Sequence, residues 1–322
     1  MKSTEFKQLV MAVGDLDHHQ RKQLMETLGK RSDDSQVIEV IESCFDGRRF
    51  CPHCRSVRLY RHGVTSGLQR YRCRDCKKTF NALTGTPLAQ LRNKRQWLAY
   101  LEAMAQSRTI RQSASEVAVH RNTSFRWRHR FLKWISQNRP ALLHGITEVD
   151  ETHLLESDKG KKMLARKPRK RGETASKRGV SNEQVCILVA RDRSGQTLDF
   201  VVGTGALSQL QLTQALKPVL DDDVLLISDG NPSYAAFCHQ ENLSHEVINL
   251  SKGQRVKGAY HLQHVNAYHS RFKQWLHRFH GVASHYLPNY LGWRHCLENP
   301  SPPTPNALLK YALGNFQYLT VT

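Results

Sequence analysis

From the N-terminus to about residue 45, apolar residues recur at helical spacing: Phe6, Leu9, Val10 and Val13, then Leu24 and Leu28. A second short helix is predicted over Val37 to Phe45, where Val37, Ile38, Val40, Ile41 and Phe45 are apolar. A segment with two CxxC pairs follows, then a helical stretch from about Lys94 to Asn138. At Asn138-Arg139-Pro140 a proline break coincides with a change of pattern. Beyond it, short β-prone runs alternate with helical ones, and strands are predicted at Ile146–Val149, Val185–Val189, Leu198–Val202 and Val224–Ile227. Helices are expected from about Pro232 and over His264–Phe279, and the Pro-rich Asn299–Pro305 reads as a late loop. The chain contains no internal repeat. These breaks divide it into a helical N-terminal segment (1–46), the CxxC segment (47–90), a helical region (91–140), an α/β core (141–300) and a C-terminal tail (301–322).

The length of 322 residues, 39% of them hydrophobic, suffices for two or three domains with real cores. No uncharged apolar run is long enough to span a membrane, and MKSTEFKQLV lacks the apolar block of a secretion signal. A cytoplasmic protein without a membrane partner is expected. Charge sharpens the picture: 48 Lys and Arg face 28 Asp and Glu, a formal +20. A surplus of that size favours a polyanion as partner. It is clustered rather than dispersed, notably at Lys159–Lys162 and in Arg166-Lys167-Pro168-Arg169-Lys170-Arg171, which places nucleic acid ahead of a generic basic surface.

Cys51-Pro-His-Cys54 and Cys73-Arg-Asp-Cys76 are separated by eighteen residues. Each CxxC turns two thiolates towards one ion, and two such knuckles complete the closed tetrahedral site that structural zinc prefers. His53 and His62 are bystanders, since four thiolates fill the site. Cys44, Cys186, Cys238 and Cys296 are scattered and read as buried apolar residues. The arginines and lysines around the knuckles suggest a module that touches DNA.

Residues Thr109 to Ile135 have the pattern of a helix-turn-helix. Ile110, Ala114 and Val117 form the buried side of one helix, Val119–Asn122 supply the turn, and Thr123 opens a second helix. Arg121, Asn122, Arg126, Arg128 and Arg130 are the candidate DNA contacts, the first two for base edges and the later cations for phosphates. An ordinary basic helical hairpin is the plainer alternative.

Asp150 lies near the end of the Ile146–Thr152 β run, and Asp229 ends the apolar Val224–Ser228 run. Carboxylates at strand ends can project into one cleft and share a pair of Mg²⁺ ions. Either aspartate alone is weak evidence, because acidic residues at strand ends often cap the next helix. Glu148, Glu151, Asp192 and Asp221–Asp223 have such ordinary roles available. A third ligand should come from a later helix. His264–Phe279 carries an apolar stripe (Val265, Tyr268, Phe272, Phe279) beside a polar one that places His269 and Lys273 one turn apart.

Together, CPHC…CRDC, Thr79-Phe80-Asn81, Gly85-Thr86-Pro87-Leu88, the helix-turn-helix, VDET at 149–152, SDG at 228–230, HVNAYHSRFKQWL and FHGVASHYLPNYLGWR resemble the DDE-type insertion-sequence transposases with an N-terminal zinc ribbon. The resemblance covers about Cys51 to Arg294. It implies a ribonuclease-H-like mixed sheet flanked by helices, preceded by the helical segment, the four-cysteine zinc ribbon and the helix-turn-helix. It implies cleavage at the terminal inverted repeats of a mobile element and transfer of the 3′ ends into target DNA, with two Mg²⁺ or Mn²⁺ per active site and one structural Zn²⁺. Asp150 and Asp229 match the family's first two metal-binding carboxylates. His269 stands where many relatives have glutamate, and Lys273 matches a basic residue that contacts element-end DNA. A neutral imidazole is softer than a carboxylate and suits Mn²⁺ better than Mg²⁺. His264, Asn266 and Glu298 are the substitutes should His269 not serve. The basic Lys159–Arg178 stretch, with Lys167, Arg169, Lys170 and Arg171, is expected as a mobile hairpin that orders on DNA. Double-stranded DNA and a homodimer or higher oligomer on it are the expected partners. The competing readings are a DNA-binding protein that has lost its chemistry, for which His269 is the argument, and a ribonuclease-H-like structure-specific nuclease.

Overall fold

The structure is a computed structural model, and it describes residues 3–29, 33–46, 50–136, 142–164, 167, 173–249, 252–298 and 303–314. The chain forms two compact units, one of residues 1–106, 115–119 and 304–322, the other of residues 107–114 and 120–303.

In the first unit, helices α1 (Ser3–Gly14), α2 (His18–Gly29) and α3 (Asp33–Asp46) precede a three-stranded antiparallel sheet of β1 (Leu59–Thr65), β2 (Leu68–Cys73) and β3 (Thr79–Asn81). Phe45 of α3 packs on Tyr71 and Phe80, so the small sheet gains an aromatic core that its few residues could not otherwise supply. Helix α4 (Trp97–Ala105) buries Trp97, Tyr100, Leu101 and Met104. The expected C-terminal tail contains a helix, α11 (Pro305–Leu313), packed on α3 and α4. Thr304 caps it, Pro305 occupies its first turn, and Leu308, Leu309, Ala312 and Leu313 are buried along one face. The expected late loop Asn299–Pro305 therefore ends in a helix start, and its residues 299–302 lie outside the described residues.

The second unit is built on a five-stranded mixed sheet in the order β6-β5-β4-β7-β8. Its strands are β4 (Ile146–Leu155), β5 (Gln184–Asp192), β6 (Thr197–Thr204), β7 (Leu225–Ser228) and β8 (Ser244–Val247). β4, β5 and β6 form an antiparallel meander, whereas β4 pairs with β7, and β7 with β8, in parallel. The β8 strand, Ser244-His-Glu-Val247, has no apolar alternation and is not evident in the sequence pattern.

Side chains alternate between the two faces of a strand. One face of the sheet offers Val149, Ala190, Leu198 and Leu226 to α7 (Gln209–Leu216) and α8 (Pro232–Glu241), which contribute Leu212, Leu216, Tyr234 and Phe237. The other face is crossed by α9 (Gln263–His277), which buries Val265, Tyr268, His269, Phe272 and Trp275. Helix α10 (Leu287–Leu297) packs on β6 and on α6 (Arg121–Ile135). The α6–α10 approach is close enough that a Cβ at Gly292 would lie 2.3 Å from the Ser136 Cα. Only glycine fits there. No helix among the described residues is long and apolar enough to cross a membrane.

Candidate active site and metal centres

Glu148 and Asp150 share the α9-facing side of β4, two residues apart. In β7, Ile227 stands directly opposite Glu148 in parallel register. Asp229 follows the last residue of β7, and its charge is among the causes that raise Asp150. Asp229 is oriented by its own turn: its Oδ1 accepts the Asn231 N–H at 2.9 Å, and Asn231 in turn caps α8. Contrary to the expectation from sequence, Asp150 is mid-strand, because β4 runs on to Leu155 along β5 after its pairing with β7 stops at Glu148.

Helix α9 supplies the rest. Its first turn is fastened to β4 by Glu148, which is 0% exposed and whose Oε2 accepts the N–H groups of His264 (2.9 Å) and Val265 (3.2 Å). An anion there answers the positive end of the helix. One helical turn and a half further on, His269 Nδ1 lies 3.7 Å from Asp150 Oδ2. On the same helix the Tyr268 hydroxyl donates to buried Asp199, fixing the rotation of α9 on the sheet.

The electrostatics follow from burial. Asp150 is raised from 3.8 to about 7, chiefly because it is desolvated, then by the charges of Glu151 and Asp229, with Lys273 working against them. His269 is pushed down to about 4, by burial first and Lys273 second, so it is neutral at ordinary pH and keeps a lone pair. Its Nε2 is buried without a hydrogen-bond partner. Lys273 is exposed. On the opposite face of β4, Glu151 accepts bonds from the Tyr234 hydroxyl (2.5 Å) and Asn231 Nδ2 (3.2 Å), which ties it to the start of α8 and away from Asp150.

The substitutes for His269 are engaged elsewhere or open to solvent. His264 joins His261 and Arg193 around Glu148, with His264 Nδ1 and Arg193 Nη1 each 2.8 Å from Glu148 Oε1. Glu298 binds Arg271 at 2.8 Å and Arg294 at 2.7 Å. Asn266 is exposed. The Glu148 cluster is the part of this region that sequence reasoning missed, because its members come from β4, the β5–β6 turn and the approach to α9. Asp192 sits at the β5–β6 turn as expected, its Oδ1 accepting from Ser194 and Gln196.

The four cysteines of the first unit converge, with Sγ atoms of Cys51, Cys54, Cys73 and Cys76 all within 4.8 Å of one another. Both knuckles use the same backbone device, since Arg55 and Lys77, each following the second cysteine, adopt left-handed φ values of 61° and 60°. The Cys51 carbonyl accepts the Arg55 N–H at 2.8 Å, and Cys73 N–H donates to the Lys78 carbonyl at 3.1 Å, closing both turns. This cluster could hold a zinc ion in a closed thiolate set.

In the segment expected to be a helix-turn-helix, α5 (Ile110–Glu116) and α6 are joined by Ser124 Oγ donating to the Ile110 carbonyl, and His120 caps α6 by accepting the Asn122 N–H. Arg121, Asn122 and Arg126 are exposed and Arg130 is half-buried. Arg128 departs from the expectation of a DNA contact. It is 0% exposed, donates to the Arg108 carbonyl (2.8 Å) and Ser113 Oγ (3.1 Å), and lies over the Trp293 ring at 4.5 Å. Its guanidinium is spent on holding α6 in place and is not offered to phosphate. Of the basic hairpin, Lys167 is exposed, and Arg169, Lys170 and Arg171 lie outside the described residues.

A mixed sheet with strand order 3-2-1-4-5, an antiparallel first half and a parallel second half, is the ribonuclease-H-like architecture, here with Asp150 on its first strand and Asp229 just after its fourth. Residues 142–294, a little under half of the chain, match the ISXO2-like transposase domain. Over 245 residues the chain is 27% identical to a protein of transposable element ISH50 from Halobacterium salinarum, covering 75% of this chain and 82% of that one. Among solved structures, a pre-cleavage Mos1 transpososome aligns at 15% identity over 69% of this chain and 79% of that one, with a TM-score of 0.25. A Mos1 transposase paired-end complex with the left transposon end aligns at 15% identity over 61% and 73%, with a TM-score of 0.19. Scores this low carry no weight for fold or function.

Proposed function

We propose that this protein binds the terminal inverted repeats of an insertion sequence, cuts the DNA there and joins the freed 3′ ends to target DNA. The observation that supports this reading is that Asp150, just past the β4 residues paired with β7, feels the charge of Asp229, just past the end of β7, and lies 3.7 Å from Nδ1 of the buried His269. In this reading Asp150, Asp229 and His269 hold a pair of divalent cations, Mg²⁺ or Mn²⁺. The donor set fits such ions: two carboxylates, of which Asp150 is desolvated, and a neutral imidazole whose Nε2 has no other partner. When bound, the ions supply a nucleophile activated at neutral pH and a charge clamp on the leaving 3′-oxygen.

The protein's own groups set the stage. Glu148 anchors the first turn of α9 and so fixes the height of His269 above the carboxylates. Lys273, exposed one turn beyond His269, holds a DNA phosphate near the reacting bond. Arg121, Asn122, Arg126 and Arg130 contact the element end, Lys167, Arg169, Lys170 and Arg171 add phosphate contacts, and the zinc ribbon (47–90) and helix-turn-helix (91–140) recognise DNA for the catalytic domain (141–300). Two ends must be cut together, which calls for at least a dimer on DNA. The test is cleavage and strand transfer on DNA carrying the inverted repeats that flank the coding region, with Mg²⁺ or Mn²⁺. Asp150→Asn and Asp229→Asn should each abolish product. Full activity in either variant would refute the assignment, and cutting of branched DNA regardless of end sequence would favour a structure-specific nuclease.

A further inference from the structure

Beside the first turn of α6 lies a cavity of about 600 Å³ within the second unit. Its walls include Phe125, Phe279 and Tyr286, and its rim carries Arg111, Arg121 and Lys159. No carboxylate is among the described residues that line it. Phe125 is 43% exposed, an unusual position for a phenyl ring on a helix that is otherwise cationic on its open side. The ring is nonetheless held: it meets His129 at 4.6 Å and Tyr286 at 5.5 Å, both edge-on, while His129 and Tyr286 stack at 3.6 Å. Burial keeps His129 neutral, at about 3, so this backing adds no charge of its own. Lys159 is drawn to the rim by the carbonyls of His280 (3.2 Å) and Gly281 (2.8 Å).

An aromatic corner, cationic side chains in the lining and the lack of an anion there select a ligand that is planar and aromatic at one end and anionic at the other. A nucleotide meets that description, and the volume falls within the range of about 300–1,000 Å³ that encloses small ligands. We infer that this cavity receives one nucleotide of the bound DNA, turned out of the duplex. Its base packs against Phe125 and Tyr286, and its phosphate is held by Arg121 and Lys159. The inference rests on the DNA reading proposed above. It adds a site for a base that the proposed metal-binding residues do not provide. Taking a base out of the stack costs free energy, which aromatic stacking and phosphate pairing offset.

The test uses random-sequence 30-base-pair duplexes, about three turns of B-DNA, either fully paired or with one unpaired thymidine at the centre. A base that is already unpaired spares the protein the unstacking cost, so the full-length protein should bind the bulged duplex at least about tenfold more tightly. In Phe125→Ala that advantage should fall to within about twofold, and in Phe125→Trp it should persist. The ratio is taken on one variant at a time, so a general loss of folding does not mimic the effect. With 5-iodouracil as the unpaired base, ultraviolet cross-linking of the unaltered protein should mark Phe125 or Tyr286. Equal affinities for the two duplexes, an undiminished advantage in Phe125→Ala, or cross-links confined to other residues would overturn the proposal. So would abolition of the advantage by micromolar thymidine monophosphate, which would make this a site for free nucleotides. Failure to bind the paired duplex at all would instead remove the DNA reading itself.

Discussion

Replacing Asp150 with Asn should stabilise the protein in buffer free of Mg²⁺ and Mn²⁺, and the gain should depend on pH. Asp150 titrates at about 7 in the folded protein against 3.8 ordinarily. Because the folded value is the higher, the folded state binds more protons than the unfolded chain between those limits, and stability falls as pH rises from about 4 to about 7. At 1.36 kcal/mol per pH unit, the full displacement corresponds to about 4 kcal/mol. The side chain retains 20% exposure, and water and relaxation soften such penalties, so about 1–3 kcal/mol is the realistic scale. Asn carries no charge at any of these pH values. The difference in thermal stability between Asp150→Asn and the parent should therefore be near zero at pH 4, grow through pH 6 and level off above pH 7. For a domain of about 150–250 residues, each kcal/mol moves the midpoint by about 2–4 °C. The measurement is a series of melting curves for both proteins from pH 4 to pH 8, read as differences so that other titrations cancel. A variant that melts below its parent across the range, or a constant difference, would show that Asp150 is not a desolvated carboxylate crowded by Asp229 and Glu151.

Three further outcomes follow from other parts of the structure. Glu148→Ala should cost about 3–5 kcal/mol in urea unfolding, because it frees the first turn of α9 and strands Arg193 without its buried partner; an unchanged midpoint would dissolve the cluster. Arg128→Ala should lower stability by about 2–4 kcal/mol through its lost hydrogen bonds and Trp293 contact. The salt dependence of DNA binding by the folded variant should keep its slope, since Arg128 neutralises no phosphate; a shallower slope would return it to the DNA surface. Cys73→Ser should abolish the binding of one zinc per chain, measured by metal analysis after dialysis, and should lower hydrogen-exchange protection in β1 and β2. A retained zinc would point to ligands other than this thiolate.

The sequence showed most where local pattern and chemistry coincide. The apolar run before Asp229 marks a strand that ends there, whereas β4 continues past Asp150 to Leu155, since pairing with β5 holds it extended beyond the apolar run. The spacing of Val265, Tyr268 and Phe272 put His269 on a polar stripe, whereas in the structure it is buried over Asp150. Where partners are remote, the pattern was silent. Glu148 looks like any acid in a short β run, yet its acceptors serve groups more than a hundred residues away. Arg128 sits between exposed cations, but it follows buried Trp127 and precedes Phe131 and Leu132, on a face widened by the packing of α10. The α11 helix carried its signals, with Thr304 before Pro305 and leucines in adjacent turns. They were outweighed by the prolines of the preceding loop.

Manganese provides the most direct test of the central claim, that Asp150, Asp229 and His269 together hold divalent metal. Pulsed electron paramagnetic resonance of Mn²⁺ added to the zinc-loaded protein reads both occupancy and the presence of a coordinated imidazole nitrogen. The account predicts bound Mn²⁺ with nitrogen modulation in the unaltered protein, loss of that modulation with Mn²⁺ still bound in His269→Glu, and weakened binding in Asp150→Asn and Asp229→Asn. Nitrogen modulation that survives in His269→Glu, or Mn²⁺ affinity untouched by both aspartate changes, would contradict it.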